Sequence, residues 1–212
     1  MIKINEQNLT EQPLIDWFKQ LGYEYEFGPD ISPGGILVER DFKDVILENR
    51  LRSSLKRLNP KLTEKNIDEV VYKLKKVENP NLEINNKEIW RMLVEGVRVD
   101  IENKNKEIRG IFAKVIDFKD PLNNEFLVIN QFAIQGSENI RRPDVVIFIN
   151  GIPVAVFELK NPKIEEVTLQ TAFEQLQEYK KDIPELFKYN QILAISDLSE
   201  ARYGTISSSL EW

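Results

Sequence analysis

RRPDVVIFINGIPVAVFELKNP, residues 141–162, decides the fold. Two apolar runs flank Asn150-Gly151, the strongest short hairpin signal, so the stretch reads as two antiparallel strands. Period two along PVAVFELK places Val154, Val156, Glu158 and Lys160 on one face, and Ala155, Phe157 and Leu159 on the other. Asp144 stands at one mouth of the hairpin, and Glu158 and Lys160 stand beside it at the other strand's end. A buried charge is costly unless it is paired or metal-bound. Two converging carboxylates repel, and one stays protonated unless a cation sits between them. A hard divalent ion held by Asp144, Glu158 and the carbonyl of Leu159 fits this arrangement. Lys160 is then placed to steady a developing negative charge or to help activate water. The plain alternative is a Glu–Lys pair where the strand emerges into solvent.

The turn separates these readings. A two-residue type I′ turn pairs Ile149 with Ile152, sets Asp144 against Phe157, and sends Asp144 and Glu158 through opposite faces. A three-residue loop, Ile149-Asn150-Gly151, with a bulge at Gly151 restores a shared face. Phe148 then opposes Ile152, Asp144 opposes Val156, and Glu158 is the diagonal neighbour of Asp144. We therefore expect positive φ at Gly151 and a three-residue or otherwise bulged loop.

Downstream, a helix is expected over about 165–182, with the stripe Leu169, Ala172, Phe173 and Leu176. Gln175 and Tyr179 are i, i+4 neighbours on its edge. They are either a boundary tyrosine with a solvated glutamine, or groups that orient Lys160 or a DNA backbone. QILAIS, 191–196, is a strand, and the tail TISSSLEW has no pattern that closes a domain. Upstream, FLVINQFAI at 126–134 reads as a strand, and 97–102 with 107–117 as a hairpin. Helices are expected over 42–58, from Thr63, and from about Asn86 to Glu95, where Gly96 closes the last. Thr10 is expected to cap a helix over 11–21 whose stripe is Leu14, Trp17, Phe18 and Leu21, with Gly22 as its stop. Residues 23–40 read as loop with at most short strands. The order predicts an α/β domain: a core over about 97–200 joined by helix 10–22, with the helices at 42–95 as a lobe or insertion.

Composition narrows the chemistry. The chain has 212 residues, 42% of them apolar and 30% charged, and neither cysteine nor histidine. That removes disulfides, thiol nucleophiles, Ser-His triads and His- or Cys-ligated zinc. Catalysis must use carboxylates, lysine, hydroxyls or a hard metal. The net charge of −6 argues against a standalone nucleic-acid binder. No apolar run approaches the roughly 18 residues of a membrane span, and no signal-peptide pattern opens the chain, so a cytoplasmic protein is expected.

Pro143-Asp144, Glu158-Leu159-Lys160 and Gln175-x-x-x-Tyr179 resemble the PD-(D/E)xK nuclease signature with its trailing Q-x-x-x-Y box. The phrases LGYEYEFGPDI, LNPKLTE, DPLNNEFLVINQF and the opening stretch are similar to the N-terminal endonuclease domain of the R subunit of Type I restriction–modification enzymes. The resemblance covers about residues 5–205. It implies a restriction-endonuclease-like αβββαβ core with a mixed sheet flanked by helices. It implies Mg²⁺ on Asp144 and Glu158, with Mn²⁺ as a substitute, Lys160 acting on water or the scissile phosphate, and Gln175 and Tyr179 as accessory residues. Glu11, in the first turn of the first expected helix, is the candidate for an additional acid; ordinary compensation of the helix dipole is the other reading. The implied substrate is double-stranded DNA, and the implied partners are methylation and specificity subunits. The chain lacks a G-x-x-x-x-G-K-[ST] loop and stops where the family carries on into a motor, so it reads as a fragment of a longer chain, with ATP used only by the full-length subunit. From Arg141 to Asp182 there are six basic and seven acidic residues, so this surface alone should hold DNA weakly. The rival readings are a non-catalytic docking module and a repair-type nuclease of the same superfamily.

Overall fold

The computed structural model describes residues 6–102, 106–161, 169–197 and 199–211. Helix α1 (Glu6–Gln20) begins ahead of the expected cap; Thr10 lies buried within it. The preceding residues, rich in good helix formers, continue the helix upstream, so no cap is needed at Thr10. Strand β1 (Glu24–Phe27) runs into the one-turn helix α2 (Gly28–Ile31). Helix α3 (Glu48–Leu58) starts later than expected. Val45, Ile46 and Leu47 are buried ahead of it, and the Leu47 amide donates to the Gly151 carbonyl (2.9 Å) instead of joining a helix.

Helix α4 (Glu64–Lys75) opens at Thr63 with a reciprocal capping box to Asn66. Helix α5 (Leu82–Glu95) starts before Asn86, because the Asn81 side chain accepts from the amides of Glu83 (2.8 Å) and Ile84 (3.2 Å). Gly22 and Gly96 follow α1 and α5 with positive φ, the conformation that stops a helix. Strands β2 (Val97–Glu102) and β3 (Ile108–Ala113) form the expected hairpin, but as a separate two-stranded sheet held to α4. Asn66 donates to the Asp100 carbonyl (3.0 Å) and Lys73 to that of Arg98 (2.6 Å).

Strand β4 (Phe126–Asn130) is shorter than 126–134, because Gln131 turns to φ +56° and leaves the extended region. Short strands β5 (Ile134–Gln135) and β6 (Ile140–Arg141) pair with each other. The hairpin strands β7 (Val145–Ile149) and β8 (Ile152–Leu159) follow. Helix α6 (Leu169–Asp182) is described from Leu169; its expected start at 165 lies outside the described residues. Helix α7 (Pro184–Tyr189), strand β9 (Ile192–Ser196) and strand β10 (Ala201–Gly204) complete the order. The sequence pattern missed α7 and β10.

The main sheet is mixed and six-stranded, ordered β1-β4-β7-β8-β9-β10. The pairs β1–β4 and β8–β9 are parallel, and the others antiparallel. Period two divides the sheet's residues between two layers. Val146, Phe148 and Val156 join Leu51, Leu55, Val70, Ile89, Leu176 and Leu186 in one large cluster. Val128, Val145, Ile147, Ala155 and Leu159 pack with Ile15 of α1 on the reverse face. The 48–95 helices therefore share one continuous core with the sheet. Each fully buried leucine in it contributes about 1.5–3 kcal/mol. Among the described residues no helix is long and apolar enough to cross a membrane.

Candidate active site

The turn of the β7–β8 hairpin differs from the expected three-residue loop. Ile149 pairs with Ile152, and Asn150 (φ +52°) and Gly151 (φ +78°) form a two-residue turn with both φ positive. Positive φ at Gly151 is as expected; the bulge lies further in. Phe148 pairs with Pro153 but Ile147 with Ala155, which leaves Val154 as an extra residue on β8. Its carbonyl accepts from the Gln191 amide (2.7 Å). Beyond the bulge Val145 faces Phe157, and one step further Asp144 faces Glu158. The bulge thus supplies the parity that the turn does not. A signal for it stood in the sequence: proline inside a central strand is confined to bulges, and Pro153 sits at this one.

The two acids occupy the α6 side of the sheet, at the mouth of the hairpin. Asp144 Oδ2 accepts from the Leu159 amide (2.7 Å), which ties the two strand ends together. Glu158 is 1% exposed; its Oε1 accepts from Lys160 Nζ (2.9 Å), and its Oε2 is buried without a hydrogen-bond partner. Lys160 also donates to Gln175 Oε1. Gln175 Nε2 donates to the Tyr179 hydroxyl (2.5 Å), which reaches the Arg142 carbonyl at 3.5 Å. The i, i+4 pair on α6 is therefore not a solvated edge: it holds the lysine amine and links it to the segment carrying Asp144. Arg141, which sequence reasoning did not single out, pins this arrangement. It pairs with Asp182 (2.5 Å) and lies over the Tyr179 ring (5.9 Å).

Burial pushes the Glu158 carboxyl up to about 8, the negative charge of Asp144 adds to the rise, and Lys160 opposes it. Burial likewise raises the Tyr179 hydroxyl to about 12, with the charge of Glu158 contributing. At neutral pH a proton keeps the facing acids from repelling, the place a cation would otherwise fill. Two facing carboxylates, one with a buried Oε2 that lacks a hydrogen-bond partner, form an all-oxygen donor set that suits a hard divalent ion. Among the described residues no three acids gather at one point, so the remaining ligands would be water or substrate oxygens.

Glu11 is not in the first turn of its helix, and it is 3% exposed, which removes the dipole-compensation reading. Its carboxylate accepts from Asn130 Nδ2 (2.8 Å) and Gln131 Nε2 (2.7 Å) at the end of β4. Asn130 and Gln131 read in the sequence as ordinary strand residues, and no local pattern marks their pairing with Glu11.

The family model described as Type I restriction enzyme R protein N terminus matches residues 3–212. The chain is 40% identical over 211 residues to the putative Type I restriction enzyme MjaIXP endonuclease subunit of Methanocaldococcus jannaschii, covering 97% of this chain and 20% of that protein. It is 37% identical over 210 residues to the Type I restriction enzyme HindI endonuclease subunit of Haemophilus influenzae, covering 98% of this chain and 20% of that protein. The chain spans about a fifth of the length of these relatives. On the extent of these matches, the chain belongs to the Type I restriction enzyme R protein N-terminus family.

Proposed function

We propose that this chain is the Mg²⁺-dependent endonuclease domain of a Type I restriction enzyme, hydrolysing phosphodiester bonds of double-stranded DNA without sequence preference. The observation that carries the reading is the buried Glu158 carboxylate. It stands opposite Asp144, has an unpartnered Oε2, and shares its other oxygen with Lys160. The order α1, β4, β7, β8, α6, β9 supports a restriction-endonuclease-like αβββαβ core. Family membership and relatives named as endonuclease subunits support the restriction role. In the assembly, motor domains elsewhere in the subunit would use ATP to deliver DNA, and the methylation and specificity subunits would choose where the enzyme engages.

Asp144, Glu158 and the Leu159 carbonyl would hold Mg²⁺, or Mn²⁺ in its place. When bound, the ion would polarise a phosphate oxygen and acidify a water. Lys160, already a donor to Glu158 and Gln175, carries hydrogens that can pass to a phosphate oxygen as negative charge develops. Gln175 and Tyr179 restrict where that amine can go, and burial of Glu158 keeps bulk water from its inner oxygen.

Titration with Mn²⁺, followed by the loss of the free-ion EPR signal, tests the site. Asp144→Asn and Glu158→Gln should each abolish uptake. Lys160→Ala should retain uptake and lose DNA cleavage in the assembled enzyme. If neither acid substitution changes uptake, the cluster is a structural ion network and the domain only docks partners. Cleavage independent of ATP and of the other subunits would instead point to a repair-type nuclease.

A further inference from the structure

Every residue assigned to the site so far lies on or beside β7, β8 or α6, yet the backbone of Asp144, just ahead of β7, is also held from the residue that follows β4. The last residue of that strand, Asn130, pairs with Val145. Gln131 follows in a left-handed backbone, φ +56°, where a residue with a side chain is uncommon. Such a conformation persists only where the surroundings over-determine it. Here they do. The Gln131 amide donates to the Asp144 carbonyl (2.9 Å), and its side chain donates to buried Glu11 (2.7 Å). The same Glu11 accepts from Asn130 Nδ2 (2.8 Å), whose Oδ1 in turn accepts from the Tyr25 hydroxyl (3.0 Å). Gly28 lies so close that a Cβ there would stand 2.5 Å from the Gln131 carbonyl. Just beyond, buried Arg40 donates to the Ala133 carbonyl (2.7 Å) and lies over the Phe132 ring (3.8 Å). The bend at 130–133 is thus clamped from α1, β1, α2 and the 40–44 segment.

We propose that Gln131 is a positioning residue for Asp144: Glu11 holds its side chain, and that grip sets the backbone amide which fixes the Asp144 peptide at the mouth of the metal site. Glu11 then acts at the site through Gln131 rather than as a ligand. The inference rests on the metal-binding reading of Asp144 and Glu158. Residues that orient metal ligands without touching the ion commonly contribute about 10–100-fold in metal affinity.

The test is Mn²⁺ titration of three variants of the chain, with thermal unfolding of each as a control. Gln131→Gly removes the side chain while tolerating the positive φ; losing a donor to buried Glu11 should lower its melting temperature by a few degrees while it stays folded, and it should bind Mn²⁺ about tenfold more weakly. Gln131→Glu sets two buried carboxylates face to face and should also weaken binding. Adding Glu11→Gln to it restores one donor and one acceptor across the pair and should restore affinity, which a merely structural role would not require. Unchanged Mn²⁺ affinity in Gln131→Gly, alongside a wild type that binds and an Asp144→Asn that does not, overturns the positioning role and leaves the site intact. A wild type that takes up no Mn²⁺ overturns the site itself, and this inference with it.

Discussion

At Tyr179 a single hydroxyl closes a chain of hydrogen bonds that begins at the Glu158 carboxylate and returns to the backbone ahead of Asp144. Tyr179→Phe keeps the ring, its burial and the overlying Arg141, and removes only that junction. Gln175 Nε2 then loses an acceptor, and the grip on Lys160 loosens. The expected stability loss is about 1 kcal/mol. The catalytic loss is larger, since misplacing a reacting group by about 1 Å can cost about a hundredfold. Single-turnover DNA cleavage by the assembled enzyme should therefore slow about ten- to a hundredfold with KM for DNA unchanged. A variant that cleaves at the wild-type rate would assign Gln175 and Tyr179 to packing alone.

At the level of the hairpin, turn and bulge act together. Two residues close the chain, and the extra Val154 restores the parity that brings Asp144 opposite Glu158. The turn is locked against α3: the Gly151 carbonyl accepts from the Leu47 amide, and a Cβ on Gly151 would sit 2.6 Å from the Leu47 carbonyl and 2.8 Å from the Leu51 amide nitrogen. Gly151→Ala should destabilise the domain by at least about 1–3 kcal/mol, from the left-handed backbone alone. Urea unfolding measures this, and Mn²⁺ affinity below the transition should stay at the wild-type value, because the site is at the far end of the hairpin. Unaltered stability would contradict the observed turn. The strands, their two faces and the i, i+4 pair on α6 were legible in the sequence because they depend on local period. The bulge was legible only through Pro153, whose missing donor conflicts with a regular central strand. Helix starts at Glu6 and Leu82 were misplaced because side-chain caps compete: Asn81 captured α5, and Thr10 was never needed. Parallel pairing of β1 with β4, and the hold of Glu11 on Gln131, join residues about a hundred positions apart and leave no local trace.

For the whole molecule, the buried acid pair couples folding to pH and, on the metal-binding proposal, to a divalent ion. The Glu158 carboxyl rises from its ordinary 4.5 to about 8 on folding, chiefly through burial and then through Asp144. Between those values the folded chain holds a proton that the unfolded chain has released. The associated stability is fully present below the unfolded value and is lost as pH rises through the folded one. The metal-free domain should therefore melt at progressively lower temperature as pH rises from 4.5 to about 8, the interval spanned by the shift. Glu158→Gln mimics the protonated acid at every pH, so it should match wild type near pH 5, exceed it near pH 9 and show a flatter profile. On the metal-binding proposal a divalent ion would bind the ionised pair, so Mg²⁺ should raise the wild-type melting temperature more at pH 9 than at pH 6 and leave Glu158→Gln unmoved. Replacing the acid thus stabilises the empty fold at alkaline pH while abolishing the metal response, the expected pattern where a site holds an unfavourable charge for function rather than for folding. Differential scanning calorimetry of both chains across this range, with and without Mg²⁺, decides the matter. If wild type and Glu158→Gln melt in parallel at every pH, Glu158 titrates as an ordinary surface carboxylate and the facing acids do not share a proton.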